Sequence, residues 1–209
     1  MGDTRFDRVL QICEEAKRLP LVELFKNNTM TFVAGSSWQP DEDLFIEYFN
    51  QHPEVKLIIA PHVIDENHLV EIIRKLKRPY VRYTRANEKN VRKADCLIID
   101  CFGLLSSIYR YGEIAYIGGG FGVGIHNTLE AAVYGIPVIF GPKYQKFQEA
   151  IQLLETKGAF SAKDYEELKT LLDRMLTDEV FLRESGMNAS NYVTSNAGAT
   201  DKIMSMINF

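Results

Sequence analysis

A glycine-rich loop occupies residues 118–124, and the polar sequence HNTLE follows it almost directly. Five of the seven loop residues are glycine, so the backbone can approach a ligand closely and offer N–H groups to phosphate or carboxylate oxygens. The spacing is not a dinucleotide-binding G-x-G-x-x-G, because the last position falls on Val123 or Ile125. The loop therefore predicts an anionic ligand near Gly118 and Gly119, with a turn that has no ligand as the alternative.

The residues after this loop allow two interpretations. Asn127 followed three positions later by Glu130 has the register of a helix capping box, and Gly135 would end that helix. Alternatively, the Glu130 carboxylate faces the ligand crevice and accepts hydrogen bonds from two vicinal ribose hydroxyls. Residue types and spacing fit both interpretations equally well.

Further binding candidates follow other apolar segments. Ser36 and Ser37 come after a predicted strand, so we expect their hydroxyls and N–H groups over the crevice for phosphate contact, unless a serine only caps a helix. Gly103 lies in a second strand-to-helix turn, whose amides could contact a base or a phosphate. Lys143 could neutralise negative charge on the ligand, although most lysines are simply solvated.

The sequence lacks the patterns of several other functional classes. The four histidines have no metal-binding spacing and no catalytic triad is evident, so we predict no metal, no cofactor and no self-contained catalytic set. A formal charge of −4 without a basic block argues against nucleic acid as a partner. Three cysteines without a CxxC pair predict buried thiols in a reducing, cytoplasmic setting, and no apolar run is long enough to cross a membrane.

The loops connect elements that alternate regularly between strand and helix. Apolar runs of strand length lie at 31–36, 55–62, 80–84, 96–101, 113–120 and 136–142. Helical patterns lie at 41–51, 65–77, 87–94, 103–111, 127–135, 144–157, 164–176, 178–191 and 197–208. This alternation predicts an α/β fold, a Rossmann-like parallel sheet of about six strands with helices on both faces, and residues 1–209 form a single predicted domain. Ligands of such sheets bind beyond the carboxyl ends of the strands, where the loops described above lie.

The stretch from Asp100 to Ala159 resembles the carboxyl-terminal domain of the 3-deoxy-D-manno-octulosonic acid (Kdo) transferases. The family pattern there is approximately D-x-x-G-E-L, F-V-G-G-S, G-G-H-N-P-L-E and G-K-P-V-L-x-G-P-H-x-x-N-F. The segments VAGSSW, LIIAPH and GDTRFDRV match in order upstream. The resemblance covers the second half of such an enzyme and none of the first.

The resemblance implies the second domain of a GT-B glycosyltransferase, which binds the donor CMP-Kdo and needs no divalent metal. The acceptor would be a lipid A precursor in lipopolysaccharide biosynthesis. The general base and the membrane-associating acceptor surface belong to the family's amino-terminal domain, which we expect to be absent from this chain. This chain alone would therefore bind donor without turnover, and the complete protein would act at the cytoplasmic face of the inner membrane.

Position by position, the resemblance implies a CMP-Kdo site that holds phosphate, cytosine and ribose. Its residues would be Ser36, Ser37, Pro61, His62, Gly103, Leu104, Leu105, Gly118, Gly119, His126, Asn127, Glu130 and Lys143. Some positions depart from the family pattern, because Trp38 replaces a histidine, Leu104 replaces the glutamate of G-E-L, and His62 lies where an arginine is common. A diverged subfamily or a different acceptor would account for these departures.

Two other functions are compatible with the same residues. A GT-B enzyme that uses a UDP-sugar, either a transferase or a UDP-GlcNAc 2-epimerase, would place a glycine turn and a ribose-binding glutamate at the same helix start. A nucleotide-binding module without catalytic activity would need only the binding loops. Nucleotide preference separates a UDP-sugar enzyme from a Kdo transferase, because CMP should stabilise only the Kdo transferase.

Overall fold

The structure is a computed structural model that describes residues 3–206. Within these residues, strands β1 to β7 cover Thr31–Ser37, Lys56–Pro61, Tyr80–Arg82, Cys96–Ile98, Ile114–Ile117, Val138–Phe140 and Ala159–Ser161. Helices α1 to α11 cover Thr4–Glu14, Pro20–Lys26, Gln39–Gln51, Glu66–Lys75, Glu88–Val91, Leu105–Ile108, Leu129–Ala132, Gln148–Glu155, Tyr165–Thr177, Glu179–Ser195 and Ala199–Met206. No helix among the described residues combines the length and the apolar character needed to cross a membrane.

All seven strands join one parallel sheet in the order β3-β4-β2-β1-β5-β6-β7. This arrangement confirms the predicted Rossmann-like class, with one strand more than the six apolar runs. The additional strand is β7, which has three residues and buries only the first of them fully. Its residues Ala159, Phe160 and Ser161 include one large apolar side chain, so no apolar run in the sequence marks this strand.

Side chains of the sheet alternate between two separate hydrophobic clusters. Val33 belongs to the cluster under α1, α2 and α7, whereas its neighbours Phe32 and Ala34 belong to the cluster under α3, α4 and α9. Each large apolar side chain buried in this way contributes about 1.5–3 kcal/mol. Because helices cover both faces, the strands are apolar without alternation, as parallel strands in such sheets are. Cys96 is fully buried between these layers, while Cys13 and Cys101 are only half-buried.

Several helices are shorter than predicted, and the reason is visible after α7. The predicted helix 127–135 is observed only as Leu129–Ala132. Its last turn tightens, because the Tyr134 N–H donates to Ala131 O and the Gly135 N–H donates to Ala132 O. Gly135 then ends the segment as predicted, with φ at +71°. The predicted helix 103–111 is likewise divided into α6 and a 3-10 turn, and the end of 197–208 lies outside the described residues.

β1 lies at the centre of the sheet between β2 and β5. The chain passes from β1 to β2 on one side, while β5 pairs with β1 on the other side. Such a reversal of strand order opens a crevice at the carboxyl ends of the strands. The loops after β1, β2 and β5 therefore lie side by side around one crevice.

Glycines of the loop after β5 allow the chain to pack against itself. A Cβ atom on Gly118 would lie 2.2 Å from the Ser36 carbonyl oxygen, and one on Gly120 would lie 2.5 Å from the Gly141 Cα. Gly122 differs, because its Cβ would meet no atom closer than Gly119 O at 3.6 Å. Contacts within the protein therefore explain why positions 118 and 120 are glycine.

We predict that Gly118→Ala destabilises the chain, because the new methyl group must displace backbone atoms rather than a flexible side chain. Overpacking of this kind lowers the free energy of unfolding by about 1–3 kcal/mol. Gly122→Ala is the matched control in the same loop and should change stability by less than about 0.5 kcal/mol. Urea unfolding of both variants checks the prediction, and equal stabilities would contradict it.

Candidate functional site

Three rings from three different loops stack at the carboxyl edge of the sheet. Trp38 follows β1, His62 follows β2, and His126 follows the glycine-rich loop after β5. The His62 ring centroid lies 4.6 Å from that of Trp38 and 4.4 Å from that of His126, with interplanar angles of 27° and 25°. The Trp38 indole Nε1–H also donates to His126 Nε2 at 3.1 Å. We name these three residues the ring stack.

The ring stack joins two predicted site residues, His62 and His126, with one that the prediction did not include. Trp38 was noted only as a departure from the family pattern, although it contacts both histidines. Burial lowers the pKa of His126, and the neighbouring His62 lowers it further. His126 is therefore a neutral imidazole at pH 7.

Asp41 joins the loop after β1 to the loop after β5 next to the ring stack, and it was not among the predicted site residues. Its Oδ2 accepts hydrogen bonds from the Trp38 N–H at 3.0 Å and from the Gly119 N–H at 2.9 Å, while its Oδ1 accepts from the Tyr116 hydroxyl at 2.9 Å. The side chain is buried, and this burial raises the pKa of Asp41 although all three hydrogen bonds favour the charged form. An aspartate at the third residue of α3 is a capping signal that could have drawn attention to it.

The N–H groups of the glycine-rich loop are largely engaged inside the protein. The Gly118 N–H donates to Gly35 O and the Gly119 N–H donates to Asp41, both at 2.9 Å. The Gly122 N–H donates back to Gly119 O, also at 2.9 Å. The prediction that N–H groups of this loop are open to a ligand is therefore wrong for Gly118 and Gly119.

Ser36 and Ser37 point in different directions because the end of β1 is irregular. The register of pairing between β1 and β2 shifts between Gly35 and Ser37, and Ser36 has a φ of +52°. The Ser37 hydroxyl consequently lies in the interior, where it donates to Glu42 Oε1 at 2.9 Å. The expectation that both hydroxyls lie over the crevice is thus wrong for Ser37, whereas Ser36 is half-buried at the crevice.

An open pocket of about 240 Å³ brings five predicted residues together beside the ring stack. Its lining includes Ser36, Pro61, His62, Gly103 and Leu105, together with the exposed ring of Phe102. Leu104 does not line this pocket and packs instead against the hydrophobic cluster under α1, α2 and α7. The loops after β1, β2 and β4 therefore form one continuous concave surface.

Glu130 and Asn127 interact through their side chains and not as a capping box. The Asn127 Nδ2 donates to Glu130 Oε1 at 3.0 Å, and Asn127 Oδ1 accepts from the Leu129 N–H at 3.1 Å. The residue that precedes α7 is Thr128, so the predicted N-cap at Asn127 is displaced by one position. Glu130 is half-buried, and this burial raises the pKa of its carboxylate. A carboxylate with one donor partner has unused acceptor capacity.

Lys143 contacts the glycine-rich loop from the segment after β6. Its Nζ donates to Phe121 O at 3.2 Å, and its backbone N–H donates to Gly120 O at 2.9 Å. The side chain is exposed. Lys143 therefore supplies positive charge next to the loop.

We predict that Asp41→Ala lowers the free energy of unfolding by about 1–3 kcal/mol, because it leaves buried donors without an acceptor. Asp43→Ala on the same helix is the control, since Asp43 is exposed and forms a surface ion pair with Lys75. Urea unfolding measures both. Equal destabilisation by the two changes would show that the Asp41 carboxylate does not organise the loops.

We further predict that Glu130→Gln raises the melting temperature at pH 7. Burial raises the pKa of Glu130 above its ordinary value of 4.5, so the charged carboxylate opposes folding above that raised pKa. Glutamine keeps an oxygen for the Asn127 amide without the charge. The advantage of the variant should shrink as the pH falls through the raised pKa of folded Glu130 and lose its charge-dependent part below 4.5, where glutamate is protonated in both states. A difference that is independent of pH in thermal unfolding would contradict this explanation.

Curated proteins similar to this chain include several 3-deoxy-D-manno-octulosonic acid transferases. No protein-family model matches it. The 3-deoxy-D-manno-octulosonic acid transferase of Aquifex aeolicus is 33% identical over 172 residues, which cover 79% of this chain and 46% of that relative. The transferase of the same name from Chlamydia muridarum is 28% identical over 174 residues, which cover 80% of this chain and 40% of the relative. The chain thus spans less than half the length of either relative.

Solved structures show the same fold. The C-terminal CMP-Kdo binding domain of WaaA from Acinetobacter baumannii superposes with a TM-score of 0.70 at 18% identity, over 90% of this chain and 97% of that domain. Anabaena HepE in complex with UDP and glucose gives 0.64 at 13% identity, over 91% of this chain and 53% of that protein. The sequence motifs and these comparisons agree that the chain is a homologue of the Kdo transferases with the fold of a GT-B glycosyltransferase carboxyl-terminal domain.

Proposed function

We propose that this chain is the donor-binding domain of a Kdo transferase and binds CMP-Kdo at the carboxyl edge of its sheet. The observation that carries the proposal is the 33% identity to the Aquifex aeolicus enzyme over 172 residues. The fold supports it, since a CMP-Kdo binding domain superposes over 90% of the chain. The crevice supports it as well, because binding groups from several loops surround one open pocket.

Glu130 is the residue that we assign to the ribose. Its carboxylate is half-buried, has a raised pKa, and accepts one hydrogen bond from Asn127. Two vicinal hydroxyls would donate to its remaining lone pairs and stabilise the charged form that burial disfavours. Binding would therefore relieve an unfavourable interaction that the free protein retains.

The pocket beside the ring stack is the proposed position of the base or the sugar. Backbone of Gly103 and the side chain of Ser36 offer polar groups at its wall, while Ile64, Ile99 and Leu105 offer apolar contacts. A mostly apolar wall with few polar groups is typical of small-molecule sites. The phosphate would lie toward His62, His126 and Lys143, whose side chains can donate hydrogen bonds to its oxygens.

Catalysis by this domain would require a second domain. We propose that residues 1–209 form one domain, and that the general base and the acceptor surface belong to an amino-terminal domain of the complete enzyme. The acceptor would be a lipid A precursor at the cytoplasmic face of the inner membrane, as a step of lipopolysaccharide biosynthesis. The domain alone is expected to bind donor without transferring Kdo.

We predict that CMP raises the melting temperature of this chain and that UDP does not. Glu130→Ala should weaken CMP binding by about 1–3 kcal/mol, the range for loss of hydrogen bonds to a charged group. Thermal unfolding with CMP and with UDP measures the first effect, and isothermal titration calorimetry with CMP measures the second.

The control is Glu184→Ala, which removes an exposed glutamate from α10 and should leave CMP affinity unchanged. Stabilisation by UDP instead of CMP would favour a UDP-sugar enzyme and overturn the Kdo assignment. Unchanged CMP affinity in Glu130→Ala would return Glu130 to a purely structural role.

A further inference from the structure

We infer that Trp38 is a positioning residue that holds His126 as a neutral imidazole with its proton on Nδ1. The inference rests on the proposed function for its ligand, a nucleotide phosphate, but its structural part stands on the ring stack alone. It concerns a residue outside the predicted site, at a position where the family pattern has histidine.

The indole of Trp38 fixes the direction of the hydrogen bond between the Trp38 and His126 rings. An indole Nε1–H is a donor only, so His126 Nε2 must be the acceptor in the 3.1 Å contact. A neutral imidazole that accepts through Nε2 carries its proton on Nδ1. Trp38 therefore selects one tautomer of His126, as hydrogen-bond partners of histidine generally do.

Stacking limits how far the His126 ring can move. The His62 ring stacks on both Trp38 and His126, and its centroid lies 4.6 Å from that of Trp38 and 4.4 Å from that of His126. His126 is also held by its backbone, because its N–H donates to Gly118 O at 3.1 Å. The ring is thus constrained by the loops after β1, β2 and β5 at the same time.

Burial and the neighbouring His62 keep His126 neutral. Burial lowers the pKa of His126, and His62 acts in the same direction. Nearby Asp41 uses its carboxylate for hydrogen bonds to the backbone of Trp38 and Gly119. On the helix that follows, Glu130 accepts from Asn127, and across the loop Lys143 donates to Phe121 O.

A neutral His126 with a proton on Nδ1 offers one N–H donor to an acceptor oxygen. A phosphate oxygen of the bound nucleotide is the acceptor that the proposed function supplies. Without the Trp38 N–H, the imidazole would be free to carry its proton on Nε2, and part of the population would lose the donor at Nδ1. Trp38 thereby acts on the ligand through His126.

Trp38→Phe tests the inference, because it keeps an aromatic ring for stacking and removes the N–H donor. Imidazole ¹⁵N chemical shifts of the ligand-free chain report the tautomer of His126. We expect the Nδ1–H form in the unaltered chain and a mixture or the Nε2–H form in the variant. A variant that keeps the Nδ1–H form would overturn the inference.

Calorimetry with CMP measures the consequence for binding. We expect about three- to tenfold weaker binding for Trp38→Phe at pH 7.5, the effect of one hydrogen bond between neutral groups. Trp38→His, which keeps a ring N–H, should recover most of the affinity. A role in stacking alone predicts instead that phenylalanine retains full affinity and that only Trp38→Ala loses it.

The outcomes distinguish failure of the positioning role from failure of the proposed function. Binding of CMP with equal affinity by the unaltered chain and by Trp38→Phe overturns the positioning role and leaves the proposed function intact. Absence of CMP binding to the unaltered chain overturns the proposed function, and the ¹⁵N shifts then decide the tautomer selection alone. Melting curves of each variant exclude loss of the fold as the cause.

Discussion

The arrangement of loops at the carboxyl edge of the sheet depends on the buried carboxylate of Asp41. It accepts from the backbone of Trp38 after β1, from the backbone of Gly119 after β5 and from the hydroxyl of Tyr116 within β5. Hydrogen bonds to a charged group contribute about 1.5–3 kcal/mol each, whereas removal of that charge from water opposes them. The raised pKa of Asp41 indicates that burial outweighs these bonds in its effect on protonation. One side chain thus couples two loops that are distant in sequence.

Close packing of the loops follows from this arrangement. Gly118 lies against Ser36, and Gly120 lies against Gly141, at distances where no side chain would fit. The N–H groups of Gly118, Gly119, Gly122 and Gly124 donate within the protein, so these four are engaged without a ligand. Side chains of the ring stack, Glu130 and Lys143 lie around the same loop.

The sequence predicted the fold well because apolar runs and helical patterns alternate. Such patterns report burial on both faces of a parallel sheet, and they located six of the seven strands. They could not locate β7, because Ala159, Phe160 and Ser161 include a single large apolar side chain. The motif positions around Glu130, His126 and Gly103 lie in the loops after β5 and β4, at the carboxyl edge of the sheet.

Details of the site were not predictable because they depend on tertiary contacts. Whether Ser36 or Ser37 faces the crevice is decided by the irregular pairing at the end of β1. The role of Asp41 depends on Gly119, and 78 positions separate the two residues. Family motifs also directed attention away from Trp38, since they mark it only as a substitution. Contacts between loops after different strands leave no periodic signal in a sequence.

Trp38 is the only tryptophan of the chain, and it is 39% exposed at the carboxyl edge of the sheet. Its indole is stacked on one imidazole and hydrogen-bonded to another. Intrinsic tryptophan fluorescence of these 209 residues therefore originates at a single place, next to the crevice. Its emission reports the local environment of the crevice without any added label.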